Sequence, residues 1–349
     1  MEISIPTLLR IKPNALYKIG KYLRKENFKK IALFYGEGMR EMLSETINIS
    51  LDSSEISVDT EKTVTDNCVD AIFKENFPLP HGTNVIVAVG GGKVIDYCKY
   101  LGFISQLPVI SVSTSISNDA MASPGASLTV NGVRRSLKAR IPYGVIMDTN
   151  IIKNSPARFT YSGIGDLISK YTAIYDWKLS YRATGEAVND FAVLISNNSV
   201  ENVVNYKNKN VADVEFLRLV SGCLVMSGVA MEVSRSSRPA SGSEHLISHA
   251  YDKISKKPSL HGIQVGIATY AISWLQKNDK HELIKLLLNE TGFAEFAAKN
   301  PLNKQEFIEA IKIAPSIKEN YYTILSEKGA IEKLLEFTTA DEYLNKFIA

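Results

Sequence analysis

Cysteine is scarce in this chain, with three in 349 residues. Cys68, Cys98 and Cys223 lie far apart and form no CxxC pair. That spacing excludes a disulfide framework and a cysteine-built zinc site, and leaves three plain buried thiols. An excess of either charge is also missing, since 40 Lys and Arg stand against 37 Asp and Glu for a net +3. So small a surplus argues against nucleic-acid and membrane partners, and the one basic cluster, RRSLKAR at 134–140, is local. Long apolar runs are absent too. The N-terminal MEISIPTLLRIKPNALYKI is broken by charges and reads as neither signal peptide nor anchor. LVSGCLVMSGVAM at 219–231 is the most apolar stretch. It falls short of the ~20 residues that cross a bilayer. A globular cytoplasmic protein is expected, in keeping with 45% hydrophobic and 22% charged residues.

Single cores stop growing at ~250–300 residues, so two domains are expected, at 1–150 and 151–349. In the first, short β-branched runs alternate with helical stretches: KKIALFYG, MREMLSETI, EISVDT, TDNCVDAIFKEN, NVIVAVGGG, KVIDYCKYLGFI, LPVISVSTS, and finally YGVIMD. This rhythm belongs to a parallel sheet with helices on its faces. SLTVNGVRRSLKARIP interrupts it with Asn131-Gly132, a hairpin signal. After Asp148 the periodicity is helical to the end, including SPARFTYSGIGDLISKYTAIYDWKLS and VADVEFLRLVSGCLVMSGVAMEVSR. An α/β domain followed by an all-α domain is expected.

The strand VIVAV runs into Gly90, Gly91 and Gly92 and then into a helix that contains Asp96. Glycines there let a ligand approach the backbone, and the N–H groups of the helix's first turn attract phosphate. The next strand ends in Thr114, Ser115 and Ser117, where open α/β sheets bind ligands. Asp119 follows in the same loop and could equally be a helix N-cap. Glu37, just past the first strand, is a candidate for a ribose hydroxyl, as acidic residues are in dinucleotide folds.

Histidine is nearly as rare, yet two of the five form an HxxxH pair, His245 and His249, which share one helical face. GIGDLIS and LHGIQVG add Asp166 and His261. One carboxylate and two imidazoles with a position left open is the ligand set of a catalytic divalent metal, zinc by default. Three ligands suffice, so one histidine of the pair is surplus and free to meet a substrate.

GGGKVID, STSISNDAMASPGASL, GIGDLISKYTAIYDWKLS, RPASGSEHLISHAYD and HGIQVG occur in this order between about residues 29 and 270. Together they resemble the sn-glycerol-1-phosphate dehydrogenases. That family lies in the metal-dependent, iron-containing alcohol dehydrogenase superfamily, with glycerol dehydrogenase and, more distantly, 3-dehydroquinate synthase. The resemblance implies a Rossmann-like first domain, a helical metal- and substrate-binding second domain, and a homo-oligomer. It implies that Asp166, His245 and His261 hold one divalent metal, zinc first and iron second. NAD or NADP would lie on Gly91, Gly92, Lys93, Val94, Ile95 and Asp96, and on Thr114, Ser115, Ile116, Ser117 and Ser123. His249 and Asp119 would act on the small-molecule substrate, with Asp166 also touching it. The implied reaction interconverts dihydroxyacetone phosphate and sn-glycerol 1-phosphate, with Lys138, Arg140, Arg235 and Arg238 as candidate phosphate partners. Glycerol dehydrogenase is the nearest rival, since Ala120 follows Asp119 where glycine is common in the family; Gln264 stands where a glutamate is often seen. A 3-dehydroquinate synthase-like lyase would carry lysine-rich stretches not found here, and a non-catalytic nucleotide-binding protein is the third alternative.

Overall fold

Eight strands are described in the computed structural model of residues 3–349: β1 (Leu8–Lys12), β2 (Lys30–Gly36), β3 (Ser57–Val64), β4 (Val85–Gly90), β5 (Val109–Ser113), β6 (Gly125–Val130), β7 (Val133–Lys138) and β8 (Gly144–Asp148). Five helices accompany them: α1 (Ile19–Lys25), α2 (Met39–Asp52), α3 (Val69–Glu75), α4 (Gly92–Ser105) and α5 (Thr149–Asn154). The chain divides into two compact units, Met1–Ser155 and Pro156–Ala349.

In the first unit six strands form one parallel sheet in the order β1-β8-β5-β4-β2-β3. Strands β4 and β5 are buried along their whole length, which is why VIVAV and VISV read as continuous apolar runs without alternation. The chain passes from β2 outward to β3 and then returns to β4 on the other side of β2. That reversal places the carboxyl ends of β2 and β4, and with them Glu37 and Gly90–Gly92, at the topological switch point where such sheets bind ligands. Strands β6 and β7 form the separate antiparallel hairpin, with Asn131 at φ 50° and Gly132 at φ 76°, both left-handed as a type I′ turn requires.

Strand β1 carries no sequence signal that we read. It is an edge strand with Arg10 and Lys12 interrupting its apolar pattern, and it pairs in parallel with β8 far along the chain. The side chain of Asp148 at the end of β8 accepts the N–H groups of Asn14 and Leu16, each at 3.1 Å, and so ties this segment to the sheet.

The second unit contains α6 (Ala157–Ile168), α7 (Lys170–Thr184), α8 (Asp190–Asn205), α9 (Val214–Ser234), α10 (Ser243–Ile254), α11 (His261–Leu275), α12 (His281–Glu290), α13 (Phe293–Lys299), α14 (Lys304–Ile313) and α15 (Ala330–Ala340). The periodic stretch 155–180 is two helices rather than one, broken where Ser169 turns its hydroxyl back to the Asp166 carbonyl at 2.7 Å. The apolar run at 219–231 lies inside α9, whose 21 residues do reach membrane-spanning length and include an 18-residue window of mean hydropathy 1.6. Its apolar surface has another use: 56% of that window is buried inside the protein, as in a core helix.

Helices α6 and α11 cross at glycine. A Cβ on Gly262 would stand 1.8 Å from the carbonyl oxygen of Ser162, and one on Gly165 would stand 2.0 Å from that of Gly262. The Gly262 N–H donates to Ser162 Oγ at 3.1 Å, and the Phe293 ring closes over Gly165 and Gly266. Asp166 and His261 are the chain neighbours of these glycines, so the backbone contact brings the two side chains together.

In an ordinary helix Gly→Ala stabilises by roughly 0.5–1 kcal/mol. For Gly262→Ala the sign should reverse, with a loss of about 1–3 kcal/mol from forced overpacking. Denaturant unfolding of the metal-free variant beside the parent protein checks this.

Candidate metal and dinucleotide centres

The sequence SGSEH begins α10, whose start is held partly by Glu244 and partly by Asp176 of α7. Asp176 of α7 accepts the Ser243 N–H at 2.7 Å and the Ser243 hydroxyl at 2.6 Å, while Glu244 Oε1 accepts the Gly242 N–H at 2.6 Å. Burial, and Glu244 nearby, push the Asp176 carboxyl up to about 6. His245 then stands in the first turn of α10, directed at Asp166 of α6, with Nε2 3.4 Å from Asp166 Oδ1.

Asp166, His245 and His261 each offer a ligand atom within 4.8 Å of the others. Both imidazoles are oriented from behind. Glu244 Oε1 takes the Nδ1 side of His245 at 2.8 Å, and Glu244 itself is buried and held by the Thr172 hydroxyl at 2.8 Å. Ser248 donates its hydroxyl to Gln264 Oε1 at 2.8 Å, so at 3.1 Å it must accept from Nδ1–H of His261. Each ring therefore keeps Nε2 as the nitrogen a metal could use. Burial opposes ionisation of Asp166, but the Lys170 ammonium 3.5 Å away and the two histidines hold its carboxyl well below the usual carboxylate range. For His245, burial favours the neutral ring, yet Asp166 and Glu244 on either side raise it to about 9. An ionised, buried carboxylate beside one buried and one half-buried imidazole is an oxygen-and-nitrogen donor set that fits a divalent cation once the His245 ring gives up its proton.

His249, one turn on from His245, is exposed and stacks on the His261 ring at 5.4 Å between centroids. Its ring lies 6.3 Å from that of His245.

In the first unit, Gly90 adopts φ 149° and opens the turn, and α4 begins at Gly92 with no side-chain cap on its first N–H groups. A Cβ on Gly91 would come no closer than 3.6 Å to Ser115 Oγ, and one on Gly92 no closer than 3.7 Å to the Ala120 Cβ. Side chains would occupy the open space above an uncapped helix N-terminus, which the two glycines leave clear. Val94 and Ile95 are buried in the sheet-facing side of α4, leaving only backbone for a ligand. Lys93 reaches Glu37 at 3.4 Å and the Thr65 carbonyl, linking the ends of two strands. Ser113 donates to the Ser115 carbonyl at 2.7 Å, which shapes the Thr114–Ser117 loop.

Four side chains behave differently from the sequence reading. Asn118, not Asp119, caps the short 3-10 turn Asp119–Met121, its oxygen accepting the Ala120 N–H at 3.0 Å. Asp96 turns inward, pairing with the Lys99 ammonium at 2.8 Å and accepting the Ser127 N–H at 3.1 Å, so it supports the hairpin. Ser123 likewise meets Lys99, Oγ to Nζ at 3.0 Å. Arg238 is fully buried and forks onto Glu186 at 2.6 and 3.0 Å with a third bond to the Tyr322 carbonyl, which removes it as a phosphate partner.

Lys99, Lys170 and Glu244 were not recognised in the sequence. All three are completely buried. Charged letters in helical stretches read as solvent-facing; the only available signal was that Lys170 and Glu244 flank the metal candidates at i+4 and i−1.

Comparison with known proteins agrees with this geometry. A family model described as iron-containing alcohol dehydrogenase matches residues 10–156. The glycerol dehydrogenase of Schizosaccharomyces pombe superposes with a TM-score of 0.79 over 99% of this chain and 93% of that one, at 19% identity. The fold is thus that of glycerol dehydrogenase and the iron-containing alcohol dehydrogenases. The glycerol-1-phosphate dehydrogenase [NAD(P)+] of Methanosphaera stadtmanae is 37% identical over 88% of this chain and 85% of its own length, and that of Methanothermobacter thermautotrophicus 35% over 97% and 98%. The chain belongs to the glycerol-1-phosphate dehydrogenase family, and is an NAD(P)-dependent oxidoreductase that works with a divalent metal.

Glu244→Gln removes the charge behind His245 while keeping its size. Metal affinity should fall by about 10–100-fold, measured by competition with a chromophoric chelator, with dinucleotide affinity unchanged.

Proposed function

We propose that this chain interconverts dihydroxyacetone phosphate and sn-glycerol 1-phosphate, with its divalent ion held by Asp166, His245 and His261. The observation that carries the reading is the convergence of these three ligand atoms within 4.8 Å, with both rings already turned to present Nε2. The donor set suits zinc first and iron second. Relatives named for the same activity over nearly the full length support the substrate pair. A metal so bound would supply Lewis acidity at the reacting oxygen, and a bound nicotinamide would supply the hydride chemistry.

The chain's own residues do the rest. Glu244 and Ser248 lock the ligand rings, and Lys170 keeps Asp166 ionised without itself reaching the substrate. His249, exposed beside the ligand cluster, hydrogen-bonds a substrate hydroxyl and carries its proton to and from solvent. Asp119 binds a further hydroxyl, and Asp166 touches the substrate beside the metal. The uncapped start of α4 with Gly91 and Gly92 takes the dinucleotide's diphosphate, the backbone of Lys93, Val94 and Ile95 follows it, and Thr114–Ser117 line the nicotinamide side. Glu37 takes a ribose hydroxyl. Lys138, Arg140 and Arg235 stay as candidates for the substrate phosphate. The units divide the work, the first binding dinucleotide and the second metal. The enzyme works in the cytoplasm as a homo-oligomer, without nucleic-acid or membrane partners.

A dianion held by two or three charge-assisted hydrogen bonds should raise kcat/KM for the phosphorylated triose by at least about a hundredfold over dihydroxyacetone. Initial rates with NADH and NADPH at equal ionic strength test this; a ratio near one would move the chain to glycerol dehydrogenase activity. No net oxidation of NADH with either triose would instead favour a lyase or a non-catalytic protein.

A pH dependence follows from His245. Its ring is protonated below about 9 in the metal-free protein, and the metal must displace that proton. Metal affinity should therefore climb by about tenfold per pH unit on the acid side and level off above that value. Titrations of apoprotein in buffers of different ionisation enthalpy should register one proton released per ion near neutrality.

A further inference from the structure

A second ligand set lies beside the first. His249, Asp252 and His261 also offer donor atoms within 4.8 Å of one another, and His261 belongs to both sets. The two differ in access. Asp166 and His245 are buried, whereas His249 is exposed and Asp252 half-buried.

Asp252 is held in place by the same hydrogen-bond chain that orients His261. Gln264 Nε2 donates to Asp252 Oδ1 at 3.1 Å and to the Ser259 carbonyl at 2.9 Å, while Gln264 Oε1 accepts from Ser248, the partner of His261 Nδ1. With Nδ1 engaged, His261 has one nitrogen to give and can serve one ion at a time. The two triads are therefore alternatives around a shared ligand, one facing water and one enclosed.

A hydrated divalent ion that went directly to the enclosed triad would shed its waters beside the buried ammonium of Lys170, 3.5 Å from Asp166. Entry by way of Asp252 avoids this. A half-buried carboxylate beside the exposed His249 draws the cation in, and each departing water is replaced by a protein donor before the next is lost. His261 need not let go during the transfer. The geometry points to the His249–Asp252–His261 triad as a metal-loading station, which captures a divalent ion from solution and passes it inward as His245 and Asp166 replace His249 and Asp252. No electrons move; waters leave to solvent, together with the proton that His245 gives up. This rests on the reading that the inner triad is the working metal site. It also assigns an order to events, because His249 becomes available to the substrate only after the ion has moved in.

The test follows Co2+ absorbance after rapid mixing with full-length apoprotein, for the parent chain, Asp252→Asn and Asp166→Asn, with circular dichroism and dinucleotide binding reporting an intact fold. The parent should show a capture phase that depends on cobalt concentration, then a transfer phase that does not. Asp252→Asn should lose capture rate by about tenfold or more and still end with one tightly held ion. Asp166→Asn should keep the fast capture, lose the transfer phase, and hold an ion that a chelator strips at once. Loading of Asp252→Asn at the parental rate, or failure of that variant to hold its ion at equilibrium, would overturn the loading station. One tight ion in Asp166→Asn would instead overturn the inner metal site.

Discussion

Two helices of the second unit touch backbone to backbone, and the candidate metal centre depends on that contact. With Gly262 against the Ser162 carbonyl and Gly165 against Gly262, α6 and α11 approach more closely than any side chain would permit. Asp166 and His261 follow directly along the chain from Gly165 and precede Gly262, so their positions are set by main chain, the least adjustable part of the protein. Helix α10 then needs only to bring His245 within reach. It is fixed at its start by Asp176 and Glu244, which bond the backbone and side chain of residues 242–243.

The charges around the centres are placed by burial as much as by sequence. Glu244 behind His245, Lys170 beside Asp166 and Lys99 beneath the Asp119–Gly125 loop have no exposure to solvent, and each is surrounded by partners of opposite charge or polarity. Burying a charge without such partners would cost several kcal/mol, so every one of these side chains constrains the geometry of the groups it meets. Lys99 does this for a loop in which three carbonyls and the Ser123 hydroxyl converge on one ammonium. Asp96 and Ser123 serve that convergence, which is why side chains in the dinucleotide-type motif turn into the protein.

Much of this was legible in the linear chain. Strands β2, β4, β5 and β8 announce themselves as β-branched runs, Asn131-Gly132 marks the hairpin, and the helical periodicity after Asp148 holds to the end of the described residues. Strand β1 was not legible, because an edge strand with two cations has no periodicity of its own and its partner is over a hundred residues away. Arg238 was misread as a surface or phosphate-facing charge for a related reason: nothing local shows that Glu186, Tyr322 and Ser180 will surround it.

By itself the sequence determined the class of fold, the glycine turn that opens α4, and the short roster of side chains able to bind a metal, since residue type and spacing are local properties. Only the tertiary structure decided which nitrogen His245 and His261 present and which charges are buried. It also decided that His261 stands where two ligand sets meet. Those are distances between side chains on different helices, and they follow from how closely the helices pack, which in this protein is set by glycines at the α6–α11 crossing.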